Sequence, residues 1–216
     1  MKSSAANPTP DFLFAALDLE RPSSQGWIDP IRALPGEAWW RCPYRGCDLL
    51  PLFTENGGKG RNGTANTRKP WLLNWVDWTP EPIRRYCEDV VFPWAGGPAR
   101  VNLIRTLAGA QHAVHIDCYR SVFGTRQHKF RYVIQGRTDT LYFVTRTGHV
   151  SAPQTDLPFI MDGSWPHGMN NFTRQEKITL AIGAPWTGKE RYDFKGPILI
   201  NQNFELPENY DELFEQ

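Results

Sequence analysis

Six short segments after Pro98 constrain the fold of this 216-residue chain more than any other feature. Each is rich in β-branched and aromatic residues, and they span residues 100–107, 113–119, 129–135, 140–147, 157–161 and 176–183. Glycine or proline separates successive segments, for example at Gly109, Gly124, Gly136 and Pro153. Short strands at this spacing are typical of an all-β sandwich or barrel. The sequence therefore predicts a jelly-roll core over residues 99–190.

The first 98 residues have a different character, and we expect a mixed region that packs on the barrel. Residues 79–91 predict a short helix with Thr79 as its cap. Residues 55–69 contain four glycines and almost nothing apolar, which indicates an exposed loop that is either a lid or an insertion without function. With 40% hydrophobic residues, the chain suits one mainly β domain over residues 1–216 with flanking helices.

Charge and hydropathy argue against two classes of partner. The 24 basic and 23 acidic residues give a net charge of +1, and no long basic run exists, so we expect neither nucleic acid nor an anionic membrane as partner. No apolar stretch is long enough for a transmembrane helix or a secretory signal, which favours a cytoplasmic location. Cys42 and Cys47 could be a metal or disulfide pair, but unpaired thiols in a reducing compartment are the favoured interpretation.

Two histidines and an acid form a candidate metal site. His115 and Asp117 flank Ile116 on a predicted strand, where residues two apart project from the same face. A third ligand must come from another strand, and His167 in SWPHGMNN is the candidate. Two histidines and one carboxylate leave open positions on the metal, which suits non-heme Fe(II) enzymes. The competing interpretation is a core His115 hydrogen-bonded to Asp117, with His167 as an ordinary turn residue.

The other three histidines are weaker ligand candidates. His149 lies in the turn TRTGHV and is expected to be exposed. His112 has no carboxylate two residues away on its own face, and His128 begins a strand and could line the pocket without binding metal.

Residues 100–186 resemble the double-stranded β-helix core of 2-oxoglutarate-dependent oxygenases, above all the aspartyl/asparaginyl β-hydroxylase-like branch. The motifs that carry the resemblance are ARVNLIRTLAGAQHAVHID, HKFRYVIQG, TLYFVTRTGHV, PFIMDGSWPHGMNN and EKITLAIGAPW, in that order. The resemblance implies Fe(II), 2-oxoglutarate as co-substrate and O2. It covers about the last hundred residues, and the N-terminal hundred match no family that we can name.

The resemblance also implies a basic anchor for the distal carboxylate of 2-oxoglutarate about ten positions after the distal histidine. Lys177 stands there, with Arg174 as the alternative, whereas the branch often has arginine. In the strand EKITLAIG, Lys177 and Thr179 share one face and aliphatic residues share the other, so we expect Lys177 and Thr179 to point into the barrel. A solvated lysine at a strand edge is the competing interpretation.

Lys129 and Arg131 form a second basic face on the strand HKFRYVIQG. In the branch that the chain resembles, basic residues of this strand assist 2-oxoglutarate binding, which implies the same role here. The alternative is that both are surface cations on an amphipathic strand. Arg105 and Arg120 are weaker candidates for contacts with the substrate.

The function that these features predict is an Fe(II)- and 2-oxoglutarate-dependent dioxygenase. It would hydroxylate an unactivated C–H bond of an amino acid, an amino-acid-derived metabolite or a peptide side chain, without catalytic residues beyond the metal ligands. Asp117 favours hydroxylation, because family members that halogenate leave the carboxylate position vacant. The alternatives are a non-catalytic jelly-roll binding protein and a cupin-type metalloenzyme that does not use 2-oxoglutarate.

Overall fold

Two antiparallel sheets form the centre of the fold. The structure is a computed structural model, and it describes residues 12–23, 25–42, 46–55, 72–117, 128–183 and 193–210. The strands are β1 (Phe12–Leu17), β2 (Trp40–Arg41), β3 (Asp48–Thr54), β4 (Asn74–Trp75), β5 (Arg100–Thr106), β6 (Gln111–His115), β7 (His128–Gln135), β8 (Leu141–Thr145), β9 (Gly148–Ser151), β10 (Phe159–Asp162), β11 (His167–Asn170), β12 (Lys177–Gly183) and β13 (Phe194–Ile200).

The consecutive strands β5 to β12 are divided equally between the two sheets, four in each. In the described part of the chain the smaller sheet has the order β6-β11-β8-β9, and the larger sheet contains β10-β7-β12-β5 at its centre. Two four-stranded layers built from interleaved strands are a jelly roll. The predicted double-stranded β-helix core is therefore confirmed; β11 is the further strand expected to carry His167, and β9 is a short strand that the sequence did not predict.

The N-terminal region continues the larger sheet by backbone hydrogen bonding, whereas the sequence suggested only that it packs on the barrel. On one side β1 pairs with β10 and also with β13, and on the other side β3 pairs with β5. The strands β2 and β4 both pair with β3. The core sheet therefore gains strands at both edges, which protects those edges from pairing with other chains.

Within the described ranges, the α-helices and one π-helical turn lie in the N-terminal half, and short 3-10 helices occur at Gly36–Ala38, Thr138–Thr140 and Asn201–Asn203. The α-helices and the π-helical turn follow in chain order. They are α1 (Gln25–Arg32), α2 (Glu81–Tyr86), a π-helical turn (Cys87–Val91) and α3 (Phe92–Ala95). The helix predicted over residues 79–91 is confirmed, but Thr79 does not cap it, because its hydroxyl donates instead to the carbonyl of Leu52 at 2.9 Å. No helix in the described ranges is both long and apolar enough to cross a bilayer.

The larger sheet has an apolar face and a mixed face. Ile178, Leu180 and Ile182 of β12 belong to the main core, where they pack with residues of α1, α2 and the π-helical turn. Burial of one such side chain contributes roughly 1.5–3 kcal/mol. A second apolar cluster, with Phe143 of β8 and Phe159 of β10, joins the two sheets. Because the helices cover the aliphatic face, the polar residues of β12 face the smaller sheet.

Candidate metal centre

The two histidines and the carboxylate predicted as metal ligands lie together at the smaller sheet. His115 ends β6, His167 begins β11, and the register of these neighbouring strands places the two residues opposite each other. Asp117 follows two residues after His115. One ligand atom from each of the three side chains lies within 4.8 Å of the other two, a spacing that could hold a metal ion.

Asp117 is the point on which the two imidazoles converge. Nε2 of His115 lies 3.6 Å from Oδ1 of Asp117, and Nε2 of His167 lies 3.8 Å from Oδ2. The three side chains are only 6–12% exposed. The site is therefore an enclosed cluster and not a chance grouping of surface residues.

Both histidines are held in the same tautomer by backbone carbonyls. Nδ1 of His115 lies 2.9 Å from the carbonyl oxygen of Ala113, and Nδ1 of His167 lies 2.8 Å from that of Trp165. A carbonyl can only accept, so each Nδ1 carries a hydrogen, and Nε2 is the nitrogen of each ring that can offer a lone pair to a metal. Metal-ligating histidines are held in this way in most metal sites.

The charges at the site also fit a cation. Burial, together with neighbouring His115, lowers the pKa of His167 to about 3, so this ring is neutral at physiological pH. Burial would raise the pKa of Asp117, but the hydrogen bond with His115 and the electrostatic interactions with the neighbouring basic side chains outweigh it and hold that pKa well below its usual range. A carboxylate and a neutral Nε2 are both electron-pair donors, and a divalent cation between them resolves their repulsion. This donor set is the one that non-heme Fe(II) prefers.

A β-bulge in β6 brings His112 close to the site, although the sequence argument had set this histidine aside. His167 pairs with His115, but Met169 pairs with His112, so the register shifts by one residue between them. His112 consequently lies beside His115, with ring centroids 4.9 Å apart, and its Nε2 is 3.5 Å from Sγ of Cys47. Strict alternation could not have predicted this placement, because a bulge reverses the face of every residue beyond it.

Lys177 and Thr179 form a polar pair on the opposite wall, at the larger sheet. Lys177 is 2% exposed, and its ammonium donates to the hydroxyl of Thr140 at 2.7 Å. The pKa of Lys177 is lowered to about 7: burial is the main cause, Asp139 acts in the opposite direction, and Arg131 adds to the lowering. The hydroxyl oxygen of Thr179 is buried and has no hydrogen-bond partner within the described residues. A buried cation next to such a hydroxyl is suited to an anionic ligand.

Arg131 and Lys129 both interact with the carboxylate of the candidate metal centre. The Arg131 guanidinium is 3.6 Å from Oδ2 of Asp117, and it also donates to the carbonyl of Phe130 at 2.9 Å. Lys129 contributes to the low pKa of Asp117. Arg174, the alternative anchor, is exposed in the turn before β12. The structure therefore brings Lys177 and Thr179 together, places Arg131 and Lys129 beside Asp117, and leaves Arg174 outside.

The remaining candidates lie elsewhere. Arg105 donates to Asp48 at 2.9 Å and stacks on Trp39, which places it in a structural ion pair. His149 is exposed, as expected, and stacks on Tyr142. Arg120 and residues 56–69, the larger part of the predicted loop, lie outside the described residues.

Comparison with known proteins gives structural likenesses only. No protein-family model matches this sequence, and no curated protein matches it either. One similar solved structure is a 2OG-Fe(II) oxygenase family oxidoreductase from Burkholderia pseudomallei, with 12% identity and a TM-score of 0.47 over 75% of this chain and 80% of that chain. A prolyl-4-hydroxylase from Pseudomonas putida is similar at 14% identity and a TM-score of 0.48, over 87% of this chain and 95% of that chain. A prolyl hydroxylase from Trichoplax adhaerens, in complex with a hypoxia inducible factor peptide fragment, is similar at 13% identity and a TM-score of 0.49, over 81% of this chain and 84% of that chain. At these identities, the function of this chain has to be argued from its own site.

Proposed function

We propose that this chain is an Fe(II)- and 2-oxoglutarate-dependent dioxygenase that hydroxylates an unactivated C–H bond. The observation that carries the proposal is the pairing of two features inside one barrel. The smaller sheet presents two Nε2 lone pairs and a carboxylate, and the larger sheet presents a buried ammonium and, two residues further along the strand, a hydroxyl that has no hydrogen-bond partner in the described part of the chain. A binding protein without turnover has no physical need for this combination.

The spacing of the two features suits a short diacid. In the larger sheet Ala181 pairs with Arg131, and Arg131 contacts Asp117. Lys177 lies four residues from Ala181 along β12, which corresponds to about 13 Å of strand. A lysine side chain and a five-carbon diacid together can span that distance. Lys177 and Thr179 would then hold the distal carboxylate while the other end of the diacid reaches the metal.

The roles of the protein groups follow from their contacts. His115, Asp117 and His167 would hold Fe(II), and the carbonyls of Ala113 and Trp165 keep the imidazoles in the ligating tautomer. When bound, Fe(II), 2-oxoglutarate and O2 supply the oxidising chemistry, with succinate and CO2 as co-products. The protein contributes position, enclosure and the balance of charge.

We propose an amino acid, an amino-acid-derived metabolite or a peptide side chain as the substrate. The net charge of +1 gives no support to a nucleic-acid substrate. We also propose a cytoplasmic location, which agrees with Cys42, Cys47 and Cys87 forming no disulfide among the described residues.

The proposed function is tested by anaerobic titration of the purified chain with Fe(II) and then with 2-oxoglutarate. A chelated keto acid is expected to give a visible metal-to-ligand charge-transfer band, and Asp117→Ala is expected to abolish it. Amino acids and peptides are then screened under O2 for succinate and for a mass gain of one oxygen. Fe(II) binding without a band at saturating 2-oxoglutarate would replace this proposal with a cupin-type metalloenzyme.

A further inference from the structure

The turn over residues 162–166, which we name the bridging turn, contacts two metal ligands that come from different strands. The carbonyl of Gly163 accepts the backbone N–H of Asp117 at 2.8 Å. The carbonyl of Trp165 accepts from Nδ1 of His167 at 2.8 Å. One short turn therefore fixes the backbone position of the carboxylate ligand and the ring orientation of the second histidine.

Asp162 holds the bridging turn in shape from within. This residue is completely buried, and its Oδ1 accepts hydrogen bonds from the backbone N–H of Ser164 at 2.9 Å and from the Ser164 hydroxyl. The backbone N–H of Trp165 donates to the Asp162 carbonyl at 3.2 Å. A buried carboxylate is costly unless donors satisfy it. Here the turn itself supplies two donors to the carboxylate, so the shape of the turn and the burial of Asp162 depend on each other.

Contacts on the outside of the bridging turn fix its position relative to the smaller sheet. The indole N–H of Trp165 donates to the carbonyl of Val144 at 2.8 Å, and the Val144 N–H donates to the Pro166 carbonyl at 2.9 Å. The hydroxyl of Tyr210 donates to the Ser164 carbonyl at 3.0 Å. The turn is therefore anchored to β8, and its carbonyls at Gly163 and Trp165 are directed toward the candidate metal ligands.

We propose that Asp162 is a positioning residue that sets the geometry of the metal centre through the bridging turn, although it is not itself a ligand. The inference rests on the proposed metal site. Loss of the Asp162 carboxylate releases Ser164, and the carbonyls of Gly163 and Trp165 then lose their fixed directions. His167 would no longer be held with its Nε2 lone pair toward Asp117, and metal affinity would fall.

The test compares Mn(II) affinity, measured by electron paramagnetic resonance of the free ion, in Asp162→Ala, Asp162→Asn and Ser164→Ala. Loss of an outer partner of a metal ligand costs about 10–100-fold in affinity, which is the expected result for Asp162→Ala. Asp162→Asn retains an acceptor oxygen for Ser164 and is expected to lose less. The matched control is Asp48→Asn, a buried acid of β3 that pairs with Arg105; its Mn(II) affinity is expected to be unchanged.

A second measurement separates this inference from the metal proposal itself. In the metal-free chain, long-range 1H–15N spectra report the tautomer of His167, and the Nδ1–H form is expected in the wild type but not in Asp162→Ala. If the wild type binds no Mn(II), the metal proposal fails while the spectra still test the role of Asp162. The inference would be overturned if folded Ser164→Ala and Asp162→Ala both bound Mn(II) within twofold of the wild-type affinity. It would also be overturned if Asp162→Asn lost as much affinity as Asp162→Ala, or if the His167 tautomer were unchanged in Asp162→Ala. If Asp162→Ala does not fold, the Asn and Ser164 variants decide it.

Discussion

Replacing Lys177 with methionine should separate two effects of one buried ammonium: its cost to the stability of the fold and its contribution to the affinity for 2-oxoglutarate. Methionine keeps most of the length of the lysine side chain and removes its charge. Burial lowers the pKa of Lys177 from 10.5 to about 7, which corresponds to roughly 5 kcal/mol of cost for the charged form in the folded state. The metal-free protein should therefore become more stable on substitution, while its affinity for 2-oxoglutarate should fall.

The sign of the pH dependence follows from that shift. Between pH 7 and pH 10.5 the unfolded chain binds the Lys177 proton and the folded chain does not, so stability rises with pH across this window. The contribution from Lys177 is roughly 2 kcal/mol between pH 7 and pH 9. Urea unfolding at several pH values should show this rise in the wild type relative to Lys177→Met. If the free energy of unfolding changed with pH in the same way for the two proteins, the lowered pKa of Lys177 would be refuted.

Binding of 2-oxoglutarate should show the opposite dependence on pH. The distal carboxylate needs the ammonium form, so affinity should weaken as pH rises above about 7, and binding should take up a proton. A hydrogen bond to a charged group contributes roughly 1.5–3 kcal/mol, so Lys177→Met should weaken 2-oxoglutarate binding about ten- to hundredfold while Fe(II) affinity stays nearly unchanged. The control is Arg174→Met, which alters an exposed cation. If Arg174→Met gave the large loss and Lys177→Met none, the anchor would be misassigned.

Two further predictions concern the smaller sheet. Asp117→Ala should reduce iron stoichiometry to near zero while the fold persists, since Asp117 belongs to neither apolar core; unchanged iron content with a lowered melting temperature would instead indicate a hydrogen-bonded histidine cluster. Gly168→Ala should destabilise the fold by roughly 1–3 kcal/mol, because the added Cβ would lie 2.6 Å from the Tyr142 hydroxyl, and it should weaken metal binding at neighbouring His167. In Gly168→Ala combined with Tyr142→Ala, urea unfolding should show a smaller loss than the sum of the two single losses, and simple additivity would contradict the clash.

The parts of the site that local alternation determines could be predicted from the sequence. His115 and Asp117 share a face because they are two residues apart, and the same rule places Lys177 and Thr179 together, opposite the aliphatic residues of β12. The rule failed for His112, because the bulge in β6 reverses the face of the residues beyond it. No local pattern in QHAVH marks the position of that bulge.

Non-local pairing explains what the sequence could not give for the fold. The segment FLFAAL of β1 is buried on both faces, so it lacks the alternation that marks a half-buried strand. Its place between β10 and β13 depends on partners more than a hundred residues away. The role of Asp162 is hidden for a similar reason, because its importance follows from the ligands that the bridging turn contacts and not from its own sequence neighbourhood.

The pair His115 and Asp117 and the pair Lys177 and Thr179 could act on one ligand only because the two sheets face each other. The pair on the smaller sheet, His115 and Asp117, could hold a metal ion together with His167, and the pair on the larger sheet provides a lysine and a hydroxyl. Packed sheets lie about 10 Å apart, so groups on the two sheets could hold opposite ends of one small diacid. A change in the distance between the Lys177 ammonium and the candidate metal ligands should therefore change which keto acid binds. Exchanging Thr179 for valine keeps its volume but removes the hydroxyl, so it should weaken 2-oxoglutarate binding by roughly 0.5–1.5 kcal/mol, measured by the charge-transfer titration. An unchanged affinity would show that Lys177 holds the distal carboxylate without the help of Thr179.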